Sequence, residues 1–170
     1  MVSMLYPKLQ LTLYEHCGEY YMDFIRKMIP DDLKKVMKIW YDGNLEAHDF
    51  IPKDYWDRNF SYVSRAILEV DTFVYEIDGK VVGFIGMDEG YLAGLFVEKD
   101  YRGIGIGSRL LNYIKEDYDF FTLHVFENNY GAYRFYEGQG LLKKSEEVNE
   151  DLGEVEYLMY YRKKKKEHGL

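Results

Sequence analysis

Seven consecutive residues carry the densest chemical signal in this chain: Arg102-Gly103-Ile104-Gly105-Ile106-Gly107-Ser108. Three alternating glycines let successive amides turn to one side and let a bulky anion approach the backbone. The run lies between a strand, Tyr91 to Val97, and a helix beginning near Ile106, so it opens onto a helix N-terminus. Unpaired N–H groups and partial positive charge there suit a diphosphate, and Arg102 can add a charge-assisted contact. The dinucleotide pattern G-x-G-x-x-G fails, because its last glycine falls on Ser108 or on Leu110. A Walker loop fails too, since no Lys-Ser or Lys-Thr follows the glycines. The plain alternative is a tight turn with no ligand, which would leave the backbone entropy of three glycines without a purpose.

The elements that must position this turn can be read from periodicity. Asp23 to Met28 reads as a short strand, after some twenty residues without clear period. Pro30-Asp31-Asp32 is a helix start, followed by Leu33, Val36, Met37 and Trp40 at helical spacing, with an end expected near Gly43. Pro52-Lys53-Asp54 opens a second helix through Leu68. Thr72–Ile77 and Val81–Met87 form a hairpin around Asp78-Gly79, and Tyr91–Val97 is a third strand. A helix from Ile106 to Glu116, a strand from Phe120 to Phe126 and a helix from Asn129 to Glu137 follow. Strands near Leu141–Val148 and Val155–Tyr161 complete the order β-α-α-β-β-β-α-β-α-β-β. This is an α/β (α+β) fold with a mixed, mostly antiparallel sheet of six to seven strands and about four helices.

The pattern Arg-x-x-Gly-x-Gly, as Arg102, Gly105 and Gly107, resembles the GNAT N-acetyltransferase superfamily. Leu95-Phe96-Val97 before the turn and Leu110-Leu111 after it agree, as does a second block with Asn129, Ala132, Phe135-Tyr136 and Gly140-Leu141. The resemblance spans Asp23 to Tyr161 and departs at Lys99, where many relatives carry proline. Glu46-Ala47-His48-Asp49-Phe50 and Asp151-Leu152-Gly153 resemble the bacterial YjaB-type branch, regarded as acetylating lysine or small amines.

That resemblance implies acetyl-CoA as co-substrate, a primary amine (protein lysine or small molecule) as acceptor, and direct attack in a ternary complex. It implies that the strand bearing Leu95, Phe96 and Val97 splays from its neighbour and binds the pantetheine arm. Amides of Gly103, Ile104, Gly105, Ile106, Gly107 and Ser108 would hold the diphosphate. Asn129 would bond the arm or nearby backbone, with Ala132 and Tyr133 flanking it. An alkyl ammonium, with an ordinary pKa near ~10.4, must lose a proton before attack, and the thiolate must gain one. Tyr136 matches the family's acid; its rival reading is a packed helix tyrosine. His124 stands where some relatives carry a glutamate base, and imidazole suits that task; a water chain is the alternative. His48 lies where the family's acceptor site opens, with Phe50, Tyr55 and Trp56 as an aromatic wall able to hold a cation or as ordinary core. Glu89 and Glu127 either attract a cationic acceptor or are solvated surface.

Composition narrows the remaining classes. The 170 residues suit one domain, read as an N-terminal extension over 1–21, an acetyltransferase domain over 22–162 and a basic tail over 163–170. A net charge of −8 argues against nucleic acid as partner. One cysteine, Cys17, allows no internal disulfide or cysteine metal cluster, and four histidines without ligand spacing suggest no metal. No apolar run of membrane length and no secretory leader pattern is present, so a cytoplasmic protein is expected. Homodimers are common in the family, and the terminal strands offer one route to a dimer here. A non-catalytic acetyl-CoA sensor on the same fold is the competing class, disfavoured by an intact Tyr136.

Overall fold

The computed structural model describes residues 12–16 and 19–164, with side chains described from Met22 onward. The expectations for Cys17 and for the tail from residue 165 lie outside the described residues. Twelve elements follow in chain order: β1 Thr12–His16, β2 Glu19–Lys27, α1 Leu33–Ala47, α2 Lys53–Glu69, β3 Asp71–Ile77, β4 Lys80–Asp88, β5 Tyr91–Val97, α3 Ile106–Asp117, β6 Phe120–Phe126, α4 Tyr130–Gly138, β7 Leu142–Val148 and β8 Val155–Arg162. They build one sheet in the spatial order β1-β2-β3-β4-β5-β6-β8-β7. From β2 onward the element order is the one expected; β1 adds an edge strand before it. Every neighbouring pair is antiparallel except β5 with β6.

The sheet separates two apolar cores. Val82, Ile85, Leu92, Leu110, Leu111, Phe121, Leu123 and Met159 pack on one face, beneath α3 and α4. Val36, Met37, Trp40, Trp56, Val74 and Phe84 pack on the other, beneath α1 and α2. β4 lies between both cores and is buried at every residue from Val81 to Met87. That explains its unbroken apolar run, where an alternating pattern would serve a half-buried strand. β6 alternates strictly, so Phe121, Leu123 and Val125 enter the α3 side and Thr122, His124 and Phe126 face the other.

One sequence expectation about α1 needs revision. The helix does not end near Gly43 but continues to Ala47, and Gly43 is buried within it. Gly43 is there for close approach: a Cβ at this position would stand 2.9 Å from the Phe96 ring. The helix start is fixed as Pro30-Asp31-Asp32 suggested, in a short 3₁₀ turn. Asp32 accepts two hydrogen bonds from Arg26, at 2.6 and 2.9 Å, and one from the Ile29 N–H at 2.9 Å. The Arg26 guanidinium holds that carboxyl below its usual range against the opposing effect of burial. Strand β2 is thereby clamped to the first turn of α1.

Candidate active site

β5 and β6 are neighbours that barely pair. Their only ladder partners are Tyr91 and Thr122, at the very start of β5. On its other edge β5 pairs with β4 along its length, with an irregularity that leaves Ala93 between Leu92↔Met87 and Gly94↔Gly86. Such a bulge bends a strand and increases its twist. β5 therefore diverges from β6, and its β6-facing edge from Leu92 to Val97 enters no ladder. Unpaired strand edges are templates for an extended ligand.

The gap opens into two adjoining cavities. The larger, about 640 Å³, is walled by α1, α2, β5 and β6 and includes His48, Tyr55, Trp56, Phe96, His124 and Asn129. The smaller, about 460 Å³, lies over the glycine-rich turn and includes Tyr101, Gly103, Gly105, Ile106, Gly107 and Ser108. Leu95, Val97, Arg102, Ala132 and Tyr136 line both. The splay thus joins a compartment beside α1 and α2 to one at the N-terminus of α3.

Local geometry explains the second compartment. Gly103 and Gly105 have φ of 79° and 90°, a region that side chains disfavour. Gly105 caps α3, and the Arg109 N–H bonds its carbonyl at 3.0 Å. The amides of Ile106, Gly107 and Ser108 precede that bond and have no partner one turn back. Three unpaired donors grouped on a helix end in this way suit an anion. Ser108 Oγ accepts from Gln139 at 2.9 Å, tying α3 to the end of α4. Arg102 donates to the Val97 carbonyl and to Glu46 of α1, both at 2.8 Å. Its side chain braces the turn as well as facing the cavity.

Tyr136 is 8% exposed on α4, yet it reaches both compartments. Burial, with the nearby Tyr91 phenol behind it, raises its pKa above the ordinary 10. It is therefore a neutral phenol throughout the physiological range, the form that can donate a proton. His124 lines the larger cavity; its Nδ1 lies 3.1 Å from the Tyr91 hydroxyl and its Nε2 3.7 Å from Glu147.

Asn129 caps α4 by accepting from the Ala132 N–H at 3.1 Å, which turns its amide NH₂ toward His48 Nε2, also 3.1 Å away. His48 must accept there, so its proton sits on Nδ1. Burial pulls its pKa down to about 4, partly opposed by the Asn44 carbonyl. His48 is thus a neutral ring with Nε2 occupied, wedged among Phe50, Trp56 and Phe126 at centroid distances of 5.7, 5.4 and 5.3 Å. Among the described residues, His48 Nδ1 and Trp56 Nε1 are buried donors without a hydrogen-bond partner.

Most residues singled out from sequence meet around the splay; Phe50, Tyr133, Ile104, Glu89 and Glu127 line neither cavity. Phe50 packs behind His48 and touches Phe126, outside the cavity wall. Tyr133 packs edge-on against Tyr157 at 5.4 Å and lines neither compartment, because its helical position turns it toward β8. The Ile104 side chain is 59% exposed, leaving only its backbone for the turn. Residues the sequence reading passed over include Tyr91, Asn59, Asn149 and Glu156, the last three of which line the larger cavity. They come from α2, β5 and the β7–β8 region, which only the sheet order brings together. Among the described residues, no helix is long and apolar enough to cross a membrane.

The chain is similar to known proteins. The model of the Acetyltransferase (GNAT) family matches residues 33–141. The peptidyl-lysine N-acetyltransferase YiaC of Escherichia coli K12 is 32% identical over 118 residues, covering 68% of this chain and 81% of that protein. The peptidyl-lysine N-acetyltransferase YjaB of Salmonella typhimurium LT2 is 28% identical over 130 residues, covering 76% and 90%. The solution structure of apo YjaB from Escherichia coli superposes with a TM-score of 0.73 at 23% identity, over 84% of this chain and 99% of that one. Turn, splay and family match agree: this chain is an acyltransferase that belongs to the GNAT acetyltransferase family, of the YjaB type.

Proposed function

We propose that this chain transfers the acetyl group of acetyl-CoA to a primary amine, the side chain of a lysine in a peptide or protein, by direct attack in a ternary complex. The observation that carries this reading is the unpaired edge of β5, along which the cavity over the α3 N-terminus meets the larger one beside α1 and α2, with Tyr136 lining both. The names of the similar proteins supply the lysine acceptor.

In this reading the amides of residues 103–108 hold the diphosphate and the free edge of β5 holds the pantetheine arm. Val97 has its carbonyl engaged by Arg102, so Leu95 and Phe96 supply more of that edge. Ala132, where α4 begins behind the Asn129 cap, closes the opposite side. The acceptor enters beside Tyr55, Trp56 and Tyr62 of α2, whose ring faces suit a cation. Glu156 adds negative charge to the same wall. His124 takes a proton from the ammonium, the amine attacks the thioester carbonyl, and Tyr136 protonates the departing thiolate. His48 contributes indirectly, by holding Asn129 and hence the α4 N-terminus.

Thiol release from acetyl-CoA, measured with lysine-containing peptides and a panel of small amines, tests the proposal. Release that depends on a lysine peptide supports it. Coenzyme binding without release for any amine would favour a sensor on this fold.

A further inference from the structure

Tyr91 has no role in the reaction proposed above, yet its phenol is the partner His124 needs. Tyr91 is the last residue of β5 to pair with β6 before the strands diverge. It faces the same side as His124, two residues beyond its ladder partner Thr122. Tyr91 is 36% exposed, and its hydroxyl reaches the His124 side chain. There the oxygen lies 3.1 Å from His124 Nδ1, with ring centroids 5.7 Å apart. The backbone N–H of His124 also points toward that oxygen and favours its charged form, against the larger effect of burial. A phenol oxygen can accept from two donors. On the far side of the imidazole, Nε2 is 3.7 Å from Glu147 of β7. That is too long for a hydrogen bond but well inside the reach of an attraction to imidazolium.

We infer that Tyr91 is a positioning residue that sets the tautomer of His124: its oxygen accepts the Nδ1–H, so the lone pair stays on Nε2, beside Glu147. This rests on the reading of His124 as the base. The proton step then balances. An N–H bond of the acceptor ammonium breaks, its electron pair stays on nitrogen as the attacking pair, and an Nε2–H bond forms. The imidazolium later releases that proton to solvent. Tyr91 supports the cation through Nδ1–H, and Glu147 supports it from the other side. Two more titratable groups face this pair: Glu156 of β8, which acts on the Tyr91 phenol, and Tyr136 of α4, on which that phenol acts in turn. The opposite tautomer, with Tyr91 donating into Nδ1, would leave Nε2 protonated and without basic character.

Long-range ¹H–¹⁵N correlation spectra of the full chain at pH 8 read the tautomer directly. The expected spectrum has His124 protonated on Nδ1 and bare on Nε2, and Tyr91→Phe moves the proton toward Nε2. Kinetically, Tyr91→Phe should lower kcat by about 10-fold, leave acetyl-CoA affinity unchanged, and shift the acidic limb of the pH–rate profile to lower pH. His124→Gln should abolish that limb. A wild-type spectrum showing Nε2–H overturns the inference, as does a Tyr91→Phe variant with unaltered tautomer and unaltered limb. A limb that survives His124→Gln refutes the base assignment instead, and the spectrum still decides whether Tyr91 sets the ring. If Tyr91→Phe fails to fold, the wild-type spectrum alone is decisive.

Discussion

Two histidines line one cavity, and their surroundings make them different reagents. His48 is enclosed by aromatic rings, its Nε2 is taken by Asn129, and burial keeps it neutral down to about pH 4. His124 stands on the strand that bounds the splay, its side chain 29% exposed, with a phenol at one nitrogen and a carboxylate near the other. The first can orient a neighbour but has no free basic nitrogen facing an acceptor. The second can take up a proton and share the resulting charge. Sequence position alone favoured each for a functional role; the neighbours decide which role.

The sharpest way to break this contrast is at the proton donor that both walls serve. Tyr136→Phe should lower kcat by roughly 10²–10⁴-fold with acetyl-CoA affinity unchanged, because only the hydroxyl is lost. Unchanged turnover would remove Tyr136 from the mechanism. Next comes His124→Ala, expected to lower kcat/KM by about 10²-fold near pH 7. Some of that loss should return at high pH, where more of the amine is already deprotonated. An unaltered pH–rate profile would exclude the base role.

His48 should reveal itself in stability instead. Its folded pKa of about 4 lies below the ordinary 6.5, so the unfolded chain takes up the proton first. The stability from neutral His48 is complete above pH 6.5 and is lost as pH falls toward 4. Urea unfolding should show a loss of about 2 kcal/mol at pH 5 relative to pH 7.5 from this group, absent in His48→Gln. Equal pH dependence in both proteins would contradict the buried neutral state. The smallest effect is expected at Gly43. Alanine there gains about 1 kcal/mol of helix propensity, but its Cβ meets Phe96 at 2.9 Å. Phe96 cannot retreat freely, because it stacks on Phe84 and a Cβ at Gly94 would lie 2.7 Å from it. Overpacking of this kind costs about 1–3 kcal/mol, so a net destabilisation of about 1 kcal/mol is predicted by urea unfolding. A stabilised variant would show that the Phe96 slot is loose.

Much of this was legible in the residues. Local signals placed the hairpin at Asp78-Gly79, the strand at Tyr91–Val97 and the glycine turn before α3, because turn chemistry and apolar period act over a few residues. Gly43 misled, since a glycine required by a ring three strands of sequence away looks like a helix stop. The splay was an implication of resemblance only; it arises from the bulge at Ala93 and from a parallel neighbour thirty residues distant. Tyr91 was invisible for the same reason: its partner belongs to β6, and nothing local marks a tyrosine at a strand start as a histidine's acceptor. Tyr133 and Phe50 matched a pattern but turn away from the cavity, because motif spacing does not fix side-chain direction.

The central claim is that the α3 N-terminus grips a coenzyme diphosphate while the free edge of β5 holds the arm. Titration calorimetry with acetyl-CoA and, separately, with acetyl-pantetheine tests it directly. The account predicts saturable heat with acetyl-CoA and binding weaker by at least about 10²-fold for the fragment lacking the diphosphate. Folded protein giving no heat with acetyl-CoA, or equal affinity for both compounds, would contradict it.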